Sequence, residues 1–564
     1  MIEVVVYGKE KKVMRIGIYL AYGPIPGLSL KQEGLGRYLS ELMRALVKNG
    51  DEIVIACPSW TVNAIEELIE EFRIPNKDIE FVISKSQPII YRIYEKWKLR
   101  LPKHKKVKKV SFKIVDSIFL YMISAKNYLQ FFIMLILAFM LFVLLLPVLV
   151  AIVLLYIIYK ILAKIVSKFI GNYTDSKYLT DKIKNLVKRN QALYDFFRHA
   201  KKQYSPSGIQ KILREDAANI LIEAIGKMKT PVDIWYCPMA FWPEFNNIRE
   251  KKVVCMPDLL TEEFASSFSI NDVAASTAEV RKTTINGEYF ITYCNYIKDK
   301  VLVDKYNKKD KNVCVIPHAI NETLPYIEVS SCFSHIRMKK DELITKYARN
   351  MLYEIIPNCP EMKEYLGEYE GVLSMRDVKY IFYSAQARPS KNIINLVKAY
   401  EELLRNRNRN MKLFLTCNLE HYRPLKEYIY EHNLKYDVLC FKSVTNQQLA
   451  ALYRCAELIV TPTMYEGGFP FTFGEGMSVG TPSVMGNIPQ VREVLNGADW
   501  EDVLFDPYDY MDMADKIEYA LDHKECIYAK EKVIFEQMQK RSWEQVGIEY
   551  VQAFHYFLHY NESC

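Results

Sequence analysis

Between Thr461 and Glu493 the chain reads TPTMYEGGFPFTFGEGMSVGTPSVMGNIPQVRE. A strand ending there, then a glycine-rich turn and a helix opening near Thr472, would present free backbone N–H groups and the positive end of a helix dipole, which suits a phosphate. Two carboxylates, Glu466 and Glu475, bracket the turn. Carboxylates repel phosphate, so their natural partners are hydroxyl groups, which donate to both oxygens. Upstream, SAQARPSKNI places Arg388 and Lys391 at a strand-to-helix turn, where a cation pair can neutralise a diphosphate and stabilise it as a leaving group. A ligand with both phosphate and polyol hydroxyls is a nucleotide sugar.

Two series of short apolar runs must hold these residues in place. The first comprises Arg15–Leu20, Glu52–Cys57, Ile79–Ile83, Asp233–Cys237, Lys252–Met256, Phe290–Cys294 and Asn312–Ile316. The second comprises Tyr380–Ser384, Lys412–Cys417, Val438–Phe441, Leu458–Pro462, Pro482–Met485 and Val503–Phe505. Amphipathic helical runs fall between them, among them Ile393–Asn406, Arg423–His432 and Asn446–Cys455, and this alternation predicts parallel sheets with helical crossovers. Two such α/β halves suggest a cleft between them, because open sheets of this kind bind ligands at the carboxyl ends of their strands. The reading gives a first domain over 1–320, a polar helical connection over 321–377, a second domain over 378–541, and a final helix over 542–564 that packs back on the first domain.

These residues, in this order, resemble the retaining glycosyltransferases of the GT-B fold, most closely glycosyltransferase family 4. QEGLGRYLSELMRALVKNGDEIVIACP (Gln32–Pro58) is similar to that family's glycine-rich loop, helix and second strand. VTNQQLAALYRCAELIVTPTMYEGGFPF followed by GEGMSVGTPSV is similar to its most characteristic stretch. The resemblance implies two Rossmann-like domains facing a central cleft. It also implies that Glu475 binds the nucleotide ribose, that Glu466 lies near the donor sugar and that Arg388 and Lys391 contact the diphosphate. Gly34 and Gly36 would admit donor phosphate and acceptor, while the backbone of Gly467, Gly468 and Phe469 would face the sugar hydroxyls.

Three departures stand out. Eight residues rather than the family's usual seven separate the two glutamates, and the family's arginine five positions before the lysine is Gln386 here, with Arg388 nearest. Where many members carry a histidine after the fifth strand, this chain has Pro257, whose ring can neither donate nor accept a proton, beside Asp258. Asp258 is therefore the candidate side chain near the reacting carbon, and His318 is expected to be structural, at the interdomain hinge. The implied chemistry is transfer with retention, in which the departing diphosphate itself takes the acceptor's proton, and no metal or other cofactor is expected.

Phe131–Tyr159, FFIMLILAFMLFVLLLPVLVAIVLLYIIY, interrupts the first series between its third and fourth strands. Those strands belong to one sheet, so an odd number of membrane crossings is excluded. As one helix its 29 residues would span roughly 43 Å against a hydrocarbon core of ~30 Å, and split at Pro147 its arms reach only about 24 and 18 Å. A membrane-inserted hairpin over 111–170, entering and leaving on one face, reconciles these lengths. Eight Lys or Arg without an acid over 96–109, and Lys160, Lys164 and Lys168 after the block, suit anionic headgroups on that face.

The totals fit this picture. A 564-residue chain, half apolar, with a net charge of +8, has room for two or three cores and shows no bias toward disorder. Its 12 cysteines form no CxxC pair, which points away from a zinc or disulfide framework and toward a reducing compartment. The amino terminus lacks a signal-peptide pattern. The expectation is a transferase on the cytoplasmic face of the cell membrane, moving a sugar from GDP-mannose or a UDP-sugar to a lipid-linked or membrane-held glycan. Anionic lipids are expected as partners and nucleic acid is not. A non-catalytic glycan-binding scaffold and a soluble cytosolic transferase are the alternatives.

Overall fold

The computed structural model describes residues 13–25, 28–30, 34–75, 79–84, 128–133, 135–137, 139–140, 206–263, 270–328, 339–356, 359, 378–442 and 444–559. Strands β1 (Arg15–Tyr19), β2 (Glu52–Pro58), β3 (Ile79–Ser84), β4 (Ile234–Cys237), β5 (Lys252–Cys255), β6 (Tyr289–Thr292) and β7 (Val313–Val315) make a seven-stranded sheet in the order β3-β2-β1-β4-β5-β6-β7. Strands β8 (Tyr380–Tyr383), β9 (Lys412–Leu415), β10 (Val438–Cys440), β11 (Leu458–Thr461), β12 (Ser483–Gly486) and β13 (Leu504–Phe505) make a six-stranded sheet in the order β10-β9-β8-β11-β12-β13. Every pairing is parallel, with Ile16 opposite Ile53 on one side and Ile234 on the other, and Ile459 opposite Ser483. Runs such as IWYC and LIVT are buried at every residue, as expected of strands covered by helices on both faces. Both sheets fall where the apolar runs predict them, within a residue or two at each end.

Helix Gly34–Lys48 turns Leu39, Leu42, Met43 and Leu46 into the first domain's core, and its amino end stands at the carboxyl edge of β1. The last helix, Trp543–His559, lies against it, adding Val546, Tyr550, Phe554 and Phe557 to the same core. Helix Lys340–Ile355, in the stretch read as an interdomain connection, instead buries Ile344, Ala348, Leu352 and Ile355 against the second sheet beside helix Asn446–Cys455.

The apolar block belongs to a long excursion from the edge of the first sheet. β3 is that edge strand and ends at Ser84. Helix Pro206–Ile225 brings the chain back to β4, and near its start Gln210 Nε2 donates to the Pro24 carbonyl, just past the carboxyl end of β1, at 3.2 Å. Both ends of the excursion therefore stand at the carboxyl edge of the sheet. Within it, residues 128–133, 135–137 and 139–140 are helical and leave Leu129, Phe132, Ile136, Phe139 and Met140 more than half exposed. Among the described residues no helix is long and apolar enough to cross a membrane. Most of Phe131–Tyr159, the basic run 96–109 and Lys160, Lys164 and Lys168 lie outside the described residues.

Candidate active site

Lys391 is presented by a short turn, Pro389–Lys391, that leads from β8 into helix Ile393–Arg405. Asn392, between turn and helix, has left-handed backbone (φ 54°), which asparagine tolerates better than most residues. Its buried amide donates to the carbonyls of Pro462 at 3.0 Å and Pro507 at 2.6 Å. Met464 N donates to Ser390 O at 3.0 Å, so the turn is tied to the loop after β11. That bracing sets the Lys391 ammonium against the Glu466 carboxylate in a half-buried ion pair. Arg388 stands exposed and donates to Gln386, the residue that replaces the expected arginine.

Glu475 lies in helix Phe471–Met477 and is 3% exposed. Its two oxygens have separate partners: Tyr453 Oη donates to one at 2.6 Å, and Arg37 Nη1, from the first domain, donates to the other at 2.7 Å. Burial, with the adjacent carboxylate, pushes the Tyr453 hydroxyl well above its ordinary range, so it stays a donor. The backbone of Glu475 is held as well, its carbonyl accepting from Thr323 Oγ1 at 2.7 Å. Arg37 and Glu475 share the wall of an open cavity of about 410 Å³ that runs between helix Gly34–Lys48, the crossover near Thr323 and helix Asn446–Cys455.

The two glycines of the first-domain loop differ. At Gly36 a Cβ would fall 1.9 Å from the Leu30 carbonyl oxygen, so only glycine permits that approach, whereas at Gly34 a Cβ would meet nothing within 4 Å. Gly467 is pressed from the other domain: its Cβ would fall 2.4 Å from the Pro257 carbonyl oxygen, and its own carbonyl accepts from Cys294 Sγ at 3.3 Å. Gly468 packs on Tyr293, and Phe469 on Phe473. The glycine turn thus forms part of the joint between domains.

Asp258 is half-buried at this joint, and its charge helps burial to raise the Tyr465 hydroxyl above its usual range. Tyr465 Oη accepts from Leu259 N at 3.3 Å. Nearby, Glu493 of the second domain accepts from Asn295 N at 2.9 Å and Tyr296 N at 2.7 Å, capping the helical segment Ile297–Lys305 of the first. His318 sits among the rings of Tyr38, Tyr293, Phe471 and Trp543, with centroids 3.9 to 5.8 Å away. Burial, helped by the Arg541 cation, pushes its ring down to about 3, so it is neutral and structural.

In the structure Lys391 and Glu466 pair with each other, Glu475 and Arg37 line the cavity, Gly467 and Asp258 lie at the joint between domains, and Arg388 stands exposed. Arg37, Tyr453 and Asn392 were not singled out in the sequence. Arg37 lies inside the quoted glycine-rich stretch, but no local signal names its partner 438 residues away. Chemically the cleft offers cations for a diphosphate and carboxylates for hydroxyls, each at present satisfied by the other.

Residues 371–536 match the family described as Glycosyl transferases group 1. The chain is 28% identical over 195 residues to the serotype-specific mannosyltransferase WbdA of Escherichia coli, a stretch that covers 33% of this chain and 23% of that protein. The chain spans less than a third of the length of the curated relatives it matches. Among solved structures, the Candida albicans trehalose-6-phosphate phosphatase N-terminal domain superposes with a TM-score of 0.54 at 13% identity, covering 98% of each chain. Anabaena HepE in complex with UDP and glucose superposes with a TM-score of 0.50 at 10% identity, covering 96% of this chain and 99% of that one. At such identity the likeness is one of fold. This chain is an α/β protein of two parallel-sheet domains with GT-B-like neighbours, and its second domain carries the match to the glycosyl transferases of group 1.

Proposed function

We propose that the protein is a retaining glycosyltransferase that moves a sugar from a nucleotide-sugar donor to a glycan held at the cytoplasmic face of a membrane. The observation that carries this reading is Glu475, a nearly buried carboxylate on the wall of an open cavity, nine residues after the Glu466 that pairs with Lys391. In the proposed reaction the ribose hydroxyls donate to Glu475, while Lys391, with Arg388 nearby, holds the diphosphate. The bond from the anomeric carbon to the phosphate oxygen breaks, its electron pair staying on the diphosphate. The acceptor oxygen bonds to the same face of that carbon, and the acceptor proton passes to the departing phosphate oxygen. Stabilising the leaving diphosphate is then the protein's main contribution, and no protein base is needed.

Membrane association is supported by the exposed apolar side chains of the helical residues 128–133, 135–137 and 139–140, and by an excursion whose two ends stand at one edge of the sheet, the edge that faces the cleft. A hairpin entering there would hold the cleft beside a lipid-linked acceptor. The WbdA match puts GDP-mannose first among donors to test, with UDP-sugars next.

Detergent-purified protein should release nucleoside diphosphate slowly from one sugar nucleotide of a GDP, UDP and ADP panel. Absence of both transfer and hydrolysis across the panel would overturn the enzymatic reading, and tight binding without turnover would replace it with a glycan-binding scaffold. Glu475→Ala should weaken donor binding and Lys391→Ala should mainly lower kcat. Liposome flotation tests the membrane part: the intact chain should float with anionic vesicles, and a chain lacking Phe131–Tyr159 should not.

A further inference from the structure

Both carboxylates of the cleft are neutralised by cations that a diphosphate could claim: Lys391 pairs with Glu466 within the second domain, and Arg37 pairs with Glu475 across the gap between domains. The second-domain cation supply is short, since Lys391 is half-buried but Arg388 is exposed and donates to Gln386. Arg37 is placed to make up the deficit. It rises from the first turns of helix Gly34–Lys48 into the cavity, its side chain 28% exposed, and touches the carboxylate that the donor ribose is proposed to occupy.

We infer that Arg37 is a diphosphate-binding residue contributed by the opposite domain, released from Glu475 when the donor enters. This rests on the donor reading given above. The exchange conserves charge. Ribose hydroxyls replace the guanidinium on Glu475, sugar hydroxyls replace the ammonium on Glu466, and the two freed cations meet the two negative charges carried by the diphosphate. The phosphate hangs from the same ribose through a single carbon, C5′, so a guanidinium displaced by the ribose reaches it by a side-chain rotation. A guanidinium also suits phosphate better than an ammonium would, because its N–H groups engage two oxygens at once. Donor affinity therefore depends on both domains being in contact, and an open cleft binds the nucleotide without its full complement of cations.

The alternative is that Arg37 only braces Glu475, in which case it competes with the nucleoside and gives nothing to the phosphates. Calorimetric titration of wild type, Arg37→Gln and Arg37→Lys with GDP, UDP, guanosine and uridine separates the two. The expected result is at least a tenfold weaker diphosphate affinity in Arg37→Gln, with nucleoside affinity unchanged or raised and part of the diphosphate loss regained in Arg37→Lys. Equal shifts for diphosphate and nucleoside, or tighter diphosphate binding in Arg37→Gln, would overturn the inference and leave the donor reading standing. If the wild type binds none of the four, the donor reading falls and this inference falls with it. Far-ultraviolet circular dichroism of each variant shows that it is folded before titration.

Discussion

Replacing Glu531 by glutamine should make the protein less sensitive to alkali. Glu531 lies on helix Lys524–Gln539, is fully buried, and accepts from Ser483 N at 2.9 Å and Ser483 Oγ at 3.0 Å at the start of β12. Burial pushes its carboxyl up to about 8 from an ordinary value of 4.5. Between those two values the folded state holds a proton that the unfolded state has lost, so stability falls as pH rises through this window and levels off above it. At 1.36 kcal/mol per unit, the full cost is about 5 kcal/mol at pH 9 and about 3 kcal/mol at pH 7. Glutamine keeps the geometry, its oxygen accepting from Ser483 N and its amide donating to Ser483 Oγ, and removes the titration. In scanning calorimetry Glu531→Gln should match the wild type near pH 5 and unfold several degrees higher at pH 8 to 9, at roughly 2–4 °C per kcal/mol. A difference between the two proteins that does not vary with pH, or a variant less stable at pH 9, would refute the reasoning.

Asn392→Ala removes two buried hydrogen bonds and leaves in left-handed backbone a residue that tolerates it less well than asparagine, for about 2–4 kcal/mol lost in a denaturant titration, with Asn392→Gly losing less. If Asn392→Gly proves as damaging as alanine, backbone strain is not part of the cost. Tyr453→Phe leaves one oxygen of a buried carboxylate unpaired, so the melting temperature should drop by the equivalent of about 1–3 kcal/mol and the donor KM should rise. An unchanged KM would detach Tyr453 from the site. Gly36→Ala drives a Cβ onto the Leu30 carbonyl and should cost about 1–3 kcal/mol together with donor binding, while Gly34→Ala, with open space around it, should stay within about 0.5 kcal/mol of wild type.

The sheets were legible because parallel strands buried on both faces leave dense apolar runs, as IVIA in β2 and LIVT in β11 do, and turn residues punctuate them. Helix Lys340–Ile355 was harder to place. Its Ile344, Ala348, Leu352 and Ile355 form a helical stripe, but nothing local says which sheet receives it. Lys391 and Glu466 could be named from a motif, but their mutual pairing depends on Asn392 holding a conformation that its own side-chain bonds to Pro462 and Pro507 support. Arg388 was visible as a cation, whereas its exposure and its bond to Gln386 follow from the exit angle of the turn. The pairing of Arg37 with Glu475 could not be read at all, being a product of how two domains meet.

The helix Trp543–His559 ties the order of synthesis to the order of folding. It belongs by contact to the first domain, with Gly547 so close to Ala45 that an added Cβ would lie 2.8 Å from the alanine's own. On a ribosome moving at ~5–20 residues/s, the partner of Ala45 emerges roughly 25–100 s after it. Throughout that interval Tyr38 and Ala45 have no cover from the helix that will finally shield them. A fragment ending at residue 320 would keep that apolar groove permanently open, and supplying residues 543–559 as a separate peptide is the direct way to close it.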